Sequence, residues 1–299
     1  MGCGLSTLRR PRRFMRSKTR YRVRWRFQRP QPGGEAVKIG VTQIILSDLS
    51  LDDTLELCQV ADYEVIELVF GEGRDPDVAM SDDEIRGVRD RCERAGIEIG
   101  SSIGWYAERG CFIHPDRAER DQGMKCLVRS IEIANTLGVD AVLLHPGQLT
   151  AEATYREAWD WMVGGMKEVA PFAEEKGVTV GIENVWNKFI LSPREAGEIV
   201  DEVGSERIGI YLDTANMMFY GYPEHWIRGL GKKIARVHFK DFVRKDRAFV
   251  PLMDGDTDWA TVVSDLRKVG YDGPVIHEVG GDRELQIEMA ARMRKIVSL

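Results

Sequence analysis

From Val37 onward the chain repeats one unit: a short apolar run, a longer amphipathic stretch, then a glycine that leads into the next apolar run. Five of these junctions share one form, at Gly96, Gly138, Gly177, Gly204 and Gly270. Glycine takes the left-handed conformation that ends a helix at no steric cost, so its recurrence marks helix-to-strand turns. Ser192-Pro193 and Tyr222-Pro223 place proline at the first turn of two further helices. Strands are predicted near 37–43, 63–68, 97–103, 140–145, 178–183, 207–213, 234–238 and 274–278. Helical patterns fall between them, for example over 116–137, 152–176 and 282–298. Strands that alternate with helices pair in parallel. Eight of them close into a (β/α)8 (TIM) barrel, and the roughly 260 residues available fit its usual ~250. A doubly wound open sheet is the alternative, weakened by the lack of a Gly-rich turn after the first strand.

Four consecutive strands end on residues that bind metals: Glu183, Asp213, His238 and Glu278. Strand side chains alternate between faces. Val178, Val180 and Ile182 therefore lie opposite Glu183, and Ile208, Ile210 and Leu212 opposite Asp213. His238 opposes Val237, and Glu278 opposes His277. All four ionisable groups face away from the helix-packing side, at the strand ends where parallel sheets bind ligands. Three oxygens and one nitrogen suit one divalent ion, with Mn²⁺ favoured and Mg²⁺, Co²⁺ or Zn²⁺ as alternatives.

Other polar residues share this rim. Glu67 ends the second strand and His145 the fourth; Asn184 and Asn187 follow Glu183, Asn216 follows Asp213, and Lys240 and Asp241 follow His238. We expect Glu67, His145, Asn184, Asn216, Lys240 and Arg244 to contact the substrate. Trp105 and Trp186 are candidates for an apolar wall. Arg244, Lys245 and Arg247, or the backbone at Gly280-Gly281, offer an anion site. His277 is expected to pack against helices, and His114 and His225 to be structural.

The net charge of −6 is unevenly spread. Residues 1–36 hold eleven Lys/Arg and one acid, leaving 31 of the 42 bases and 47 of the 48 acids beyond them, a balance of −16. A domain that acidic is ill suited to a phosphate backbone, so no nucleic-acid partner is expected. Residues 1–36 read as a basic, disordered extension to the 37–299 catalytic barrel. An early start codon, a basic targeting arm and a lipidated arm (Gly2, Cys3, Ser6) all fit it. The five cysteines are scattered, which points to reduced thiols and a cytoplasmic setting. No apolar run approaches the ~20 residues of a membrane span.

The runs Gly181-Ile182-Glu183-Asn184-Val185-Trp186-Asn187, Leu212-Asp213-Thr214-Ala215-Asn216, Val237-His238-Phe239-Lys240-Asp241 and His277-Glu278 resemble the xylose isomerase-like sugar phosphate isomerase/epimerase family. Within it the chain is similar to the ketose 3-epimerases of the tagatose/psicose and ribulose- or xylulose-phosphate types, over essentially all of 37–299. The resemblance implies one divalent ion on Glu183, Asp213, His238 and Glu278, with Glu183 and Glu278 as the acid/base pair. They would invert the carbon beside the carbonyl of a ketose or ketose phosphate through a metal-stabilised enediolate. It also implies a homodimer or homotetramer. The chain departs from the family pattern at Asn216, where some members carry histidine, and at Phe239-Lys240-Asp241, where many carry Gly-Glu. These departures point toward sugar-phosphate, inosose and keto-glycoside substrates. An inosose dehydratase-like lyase or keto-glycoside enzyme is the main alternative. An abasic-site endonuclease or a non-catalytic sugar-binding barrel is less well supported, because all four ligand positions are filled and the barrel domain is acidic.

Overall fold

The computed structural model describes residues 37–299. The extension expected over 1–36 lies outside the described residues. Among the described residues the strands are β1 (Ile39–Thr42), β2 (Val65–Gly71), β3 (Glu98–Trp105), β4 (Ala141–Leu144), β5 (Thr179–Glu183), β6 (Ile208–Asp213), β7 (Ile234–Phe239), β8 (Asp241–Val243), β9 (Ala248–Val250) and β10 (Val275–His277). The helices are α1 (Leu51–Ala61), α2 (Asp82–Ala95), α3 (Arg117–Leu137), α4 (Tyr155–Lys176), α5 (Pro193–Val203), α6 (Pro223–Leu230), α7 (Trp259–Val269) and α8 (Arg283–Val297). Eight strands close in the order β1-β10-β7-β6-β5-β4-β3-β2, each parallel to its neighbours. This is the (β/α)8 barrel expected from the strand–helix repeat.

The local signals act where they were read. Gly96, Gly138, Gly177, Gly204 and Gly270 all end helices in the left-handed conformation, with φ between 69° and 81°. Ser192 caps α5 with Glu195 answering it, and Pro193 is the first helical residue. Ser81 with Glu84, and Thr154 with Glu157, form the same reciprocal cap on α2 and α4. Thr154 starts α4 three residues later than the periodicity suggested.

The two faces of each strand have different jobs. Val178, Val180, Ile182, Ile208, Ile210, Leu212 and Val237 join the large apolar layer between strands and helices. Inside the barrel the packing is sparse: Val69, Ile103, Leu143 and Tyr211 form a small separate cluster. Gly181 faces the same way as Glu183, and a Cβ there would sit 3.1 Å from Tyr211 Cβ. Its missing side chain gives the phenol room to cross the barrel. Among the described residues no helix is long and apolar enough to cross a membrane, and Cys58, Cys92, Cys111 and Cys126 are free thiols.

One element departs from expectation. The loop after the seventh barrel strand is a hairpin, β8 paired antiparallel to β9, with Phe242 opposite Phe249. The run Phe242-Val243 and Phe249-Val250, split by charged residues, carried that signal.

Two glycine substitutions separate backbone freedom from packing. At Gly138 (φ 81°) an added Cβ meets nothing within 4 Å, whereas at Gly40 it would lie 2.6 Å from the Val65 carbonyl oxygen. Gly138→Ala should cost about 1 kcal/mol, and Gly40→Ala about 2–3 kcal/mol because two paired strands must separate. Urea unfolding midpoints check the order; a larger loss at Gly138 contradicts it.

Candidate metal centre and cavity

The strand ends converge as the alternation predicted. Register places Asp213 beside His238, and His238 beside Ile276, two residues before Glu278. One ligand atom from each of Glu183, Asp213, His238 and Glu278 lies within 4.8 Å of all the others. Asp213 and His238 are fully buried and Glu183 is 8% exposed.

Asp213 and His238 are each held by their surroundings and keep one ligand atom free. Asp213 Oδ1 accepts from the backbone N–H groups of Ala215 (2.8 Å) and Asn216 (2.7 Å). Its Oδ2 is buried without a hydrogen-bond partner. His238 Nε2 meets Glu67 Oε1 at 3.0 Å, while Nδ1 is buried without a partner. A proton on Nε2, donated to Glu67, leaves the Nδ1 lone pair directed at the carboxylates. Glu183 Oε1 is 3.9 Å and Glu278 Oε2 3.7 Å from that nitrogen. Buried polar atoms seldom stay unpaired. Two of them facing one oxygen-rich cluster fit a divalent cation bound by three carboxylates and an imidazole.

Glu67 was expected to touch substrate, and the structure corrects this. It is fully buried. Oε1 accepts from Thr42 Oγ1 (2.7 Å) besides His238, and Oε2 accepts from Ser101 Oγ (2.7 Å) and Tyr211 OH (2.5 Å). No oxygen remains for a ligand. Burial opposes its charge, but the His238 ring and these hydrogen bonds outweigh it and hold the carboxyl at about 2. Glu67 therefore orients the histidine from beneath the site, as buried carboxylates commonly do for metal-binding imidazoles.

Asn184 also differs from expectation. Its Nδ2 donates to the Asp213 carbonyl (3.1 Å) and its Oδ1 accepts from the Asp213 N–H (2.9 Å), so both ends clamp the end of β6. Asn187 ties the Gly147 carbonyl to the Phe189 N–H. Asp241, also expected at the rim, is buried and accepts from six donors of the segment that carries β8 and β9, including Met253 N, Gly255 N and Trp259 Nε1. Arg244 lies away from the cavity: it donates to the Met218 carbonyl (2.6 Å) and covers the Tyr222 ring at 4.3 Å. Gly280 and Gly281 do not line the cavity either. Small polar residues after strands serve backbone ends as readily as ligands, and sequence position alone does not separate the two uses.

His145, Asn216, Lys240, Trp105 and Trp186 do line a cavity of about 430 Å³, together with Glu183 and Glu278. Lys240 Nζ is 2.8 Å from Glu278 Oε2 and 3.6 Å from Asp213 Oδ2. Burial opposes the ammonium charge, but Asp213 and Glu278 raise its pKa further. Burial and then Arg109 push His145 down to about 4, so it is neutral at pH 7. Its Nδ1 accepts from Gly147 N, which leaves the proton on Nε2. Trp186 stacks on Phe249 (4.9 Å, 27°) to form one wall. Tyr106 and Arg109 were missed because they sit on a loop without strand periodicity, and Phe249 because the three-residue strand β9 is too short to show one. Tyr211 was legible, since alternation puts it on the face of Asp213. His277, as expected, is buried on the helix side, with its ring against Tyr63 and Nε2 2.7 Å from the Tyr63 hydroxyl.

The chain is thus a closed parallel (β/α)8 barrel that carries, at its C-terminal rim, a cluster able to hold one metal ion. Residues 55–296 match the family described as xylose isomerase-like TIM barrel, and the chain belongs to that family. An L-ribulose 3-epimerase of Mesorhizobium japonicum is 27% identical over 246 residues, 78% of each chain. An inosose dehydratase of Geobacillus thermodenitrificans is 24% identical over 163 residues, 47% of this chain and 54% of its own. The crystal structure of a D-tagatose 3-epimerase-like protein shares the fold with a TM-score of 0.76 at 22% identity, covering 87% of this chain and 97% of its own.

Two outcomes follow from the hydrogen bonding and charge. Glu67→Gln should weaken Mn²⁺ binding by about 10–100-fold, read by electron paramagnetic resonance, with the KM of any turned-over sugar nearly unchanged. A raised KM with intact Mn²⁺ affinity would restore Glu67 to the substrate. The second concerns pH. Burial, then Glu278, push Glu183 up to about 7 against the attraction of His238, and the Glu67 charge raises His238 well above its ordinary value despite burial. Both groups must lose protons to hold an ion. Affinity for Mn²⁺ should therefore rise at least about tenfold from pH 6 to pH 8, with protons released on binding in calorimetry. A flat profile contradicts this protonation pattern.

Proposed function

We propose that the protein is a divalent-metal-dependent sugar isomerase or epimerase that inverts a carbon beside the carbonyl of a ketose or ketose phosphate. The observation that carries this reading is the pair of orphaned ligand atoms, Asp213 Oδ2 and His238 Nδ1, aimed into a cluster that also contains Glu183 and Glu278. Kinship with the L-ribulose 3-epimerase of M. japonicum supports it.

Glu183, Asp213, His238 and Glu278 would hold the ion, Mn²⁺ being favoured by the carboxylate-rich set. The ion would supply Lewis-acid polarisation of the ketose carbonyl. Glu183 and Glu278 both line the cavity, and in this reading they act on opposite faces of the substrate carbon. One removes the proton from one face; the other, protonated, returns a proton to the opposite face. Acid–base help of this kind is worth about 10²–10⁴-fold. His145 Nε2–H and the Asn216 side-chain oxygen, its Nδ2 already donating to the Asn184 carbonyl, would meet sugar oxygens, and Trp186 with Phe249 would exclude water and cover the apolar face of the sugar ring. The lyase alternative would use the same residues and expel a hydroxyl.

The test is proton exchange in D₂O, followed by NMR over free and phosphorylated ketoses with Mn²⁺ present. Deuterium at C3 together with a new epimer is expected, and Glu278→Gln should abolish both. Deuterium at C1 would make the protein an aldose–ketose isomerase; an unsaturated chromophore would make it a lyase. No exchange with any sugar despite bound Mn²⁺ would sink the reading.

A further inference from the structure

Two cationic side chains line the cavity, Lys240 and Arg109. Lys240 is paired with Glu278. Arg109 is not paired. Among the described residues it forms no ion pair and no hydrogen bond, and its guanidinium lies over the Trp105 ring at 5.7 Å. Arg74 lies over the same ring at 5.7 Å and likewise has no carboxylate partner among the described residues. Acids are not scarce, since 47 stand against 31 bases beyond residue 36. Two guanidinium groups nevertheless converge on one indole without an acid between them.

The carboxylates of the site are answered within it: Lys240 pairs with Glu278 and lies 3.6 Å from Asp213 Oδ2, and Glu67 pairs with His238. The Arg109 guanidinium takes no part in these pairs and lies on the wall of a concave site, where fields are focused on incoming ligands. After burial, its charge is the second cause that lowers the pKa of His145, which lines the same cavity. The cation–π contact with Trp105 uses no N–H group of Arg109, so its donors are left for a planar or tetrahedral anion.

We propose that the substrate carries an anionic group, a phosphate or a carboxylate, received by Arg109 at the β3 side of the cavity, with Arg74 on the same indole adding to the attraction. His145 Nε2–H supplies a neutral donor beside it. This reading rests on the sugar-isomerase function above and narrows it to acidic ketoses. It also moves the anion site away from Arg244, Lys245 and Arg247, which the sequence had offered.

The test measures binding to the full-length, Mn²⁺-loaded protein by calorimetry with two pairs of probes. The pairs are D-xylulose with D-xylulose 5-phosphate, and D-fructose with D-fructuronate. At least one acidic probe should bind about tenfold or more tighter than its neutral partner, and added salt should erode that margin. Arg109→Gln should abolish the preference, and Arg109→Lys should keep part of it. Which acid is preferred tells phosphate from carboxylate. Arg109 is exposed, so both variants should melt as the wild type does. Equal binding of acidic and neutral probes, or a preference that survives Arg109→Gln, overturns the proposal. Deuterium exchange on the same sugars is read separately. Exchange without an acid preference removes only the anion site, whereas Arg109-dependent acid binding without exchange removes only the isomerase reading.

Discussion

A carboxylate inside a barrel is costly unless each oxygen is satisfied, because water cannot reach it. Glu67 meets that condition with Thr42 from β1, Ser101 from β3, Tyr211 from β6 and His238 from β7. With its own position on β2, one side chain ties five of the eight barrel strands at a single level. Removing one partner of such a buried charge typically costs about 3–5 kcal/mol. The same network fixes which nitrogen of His238 carries the proton, and so which one faces the ligand carboxylates. One group thus links five strands and orients the histidine of the candidate metal cluster.

The remaining ligands are set by equally local means. Asp213 is turned by two backbone N–H groups at the end of β6, and Asn184 holds that end in place. Thr214 Oγ1 donates to the Lys240 carbonyl and accepts from the Lys240 N–H, tying the end of β6 to that of β7. Once these contacts exist, the free donor atoms have little choice of direction. That preorganisation lets a cavity open to solvent present unpaired oxygen and nitrogen atoms without collapsing onto them.

Much of this was legible in the sequence, for a physical reason. Strand alternation has a period of two and helix ends need a left-handed residue, so Glu183, Asp213, His238 and Glu278 could be placed on one face and one level before any coordinates. The same rules located the glycine-capped helix ends. They could not say which rim residues look inward. Glu67, Asn184 and Asp241 each sit where a substrate contact would sit, yet each is consumed by neighbours. Hydrogen-bond saturation is a three-dimensional property that adjacency along the chain does not encode. Arg109 was invisible for the complementary reason, since a loop carries no period that would aim a side chain, and Phe249 lies on a three-residue strand too short to show one.

Asp241 gives the architecture a further consequence. Its two oxygens gather six donors from the segment that runs through β8 and β9 to Trp259, and that segment presents Phe249 to the cavity. One wall of the site thus hangs on Asp241 and, at Leu252 and Asp254, on Arg292 of α8, rather than on the barrel ladder. The hydrogen bonds that hold Glu67 and Asp213 involve none of its residues, so the wall and the candidate metal cluster answer to separate parts of the sequence.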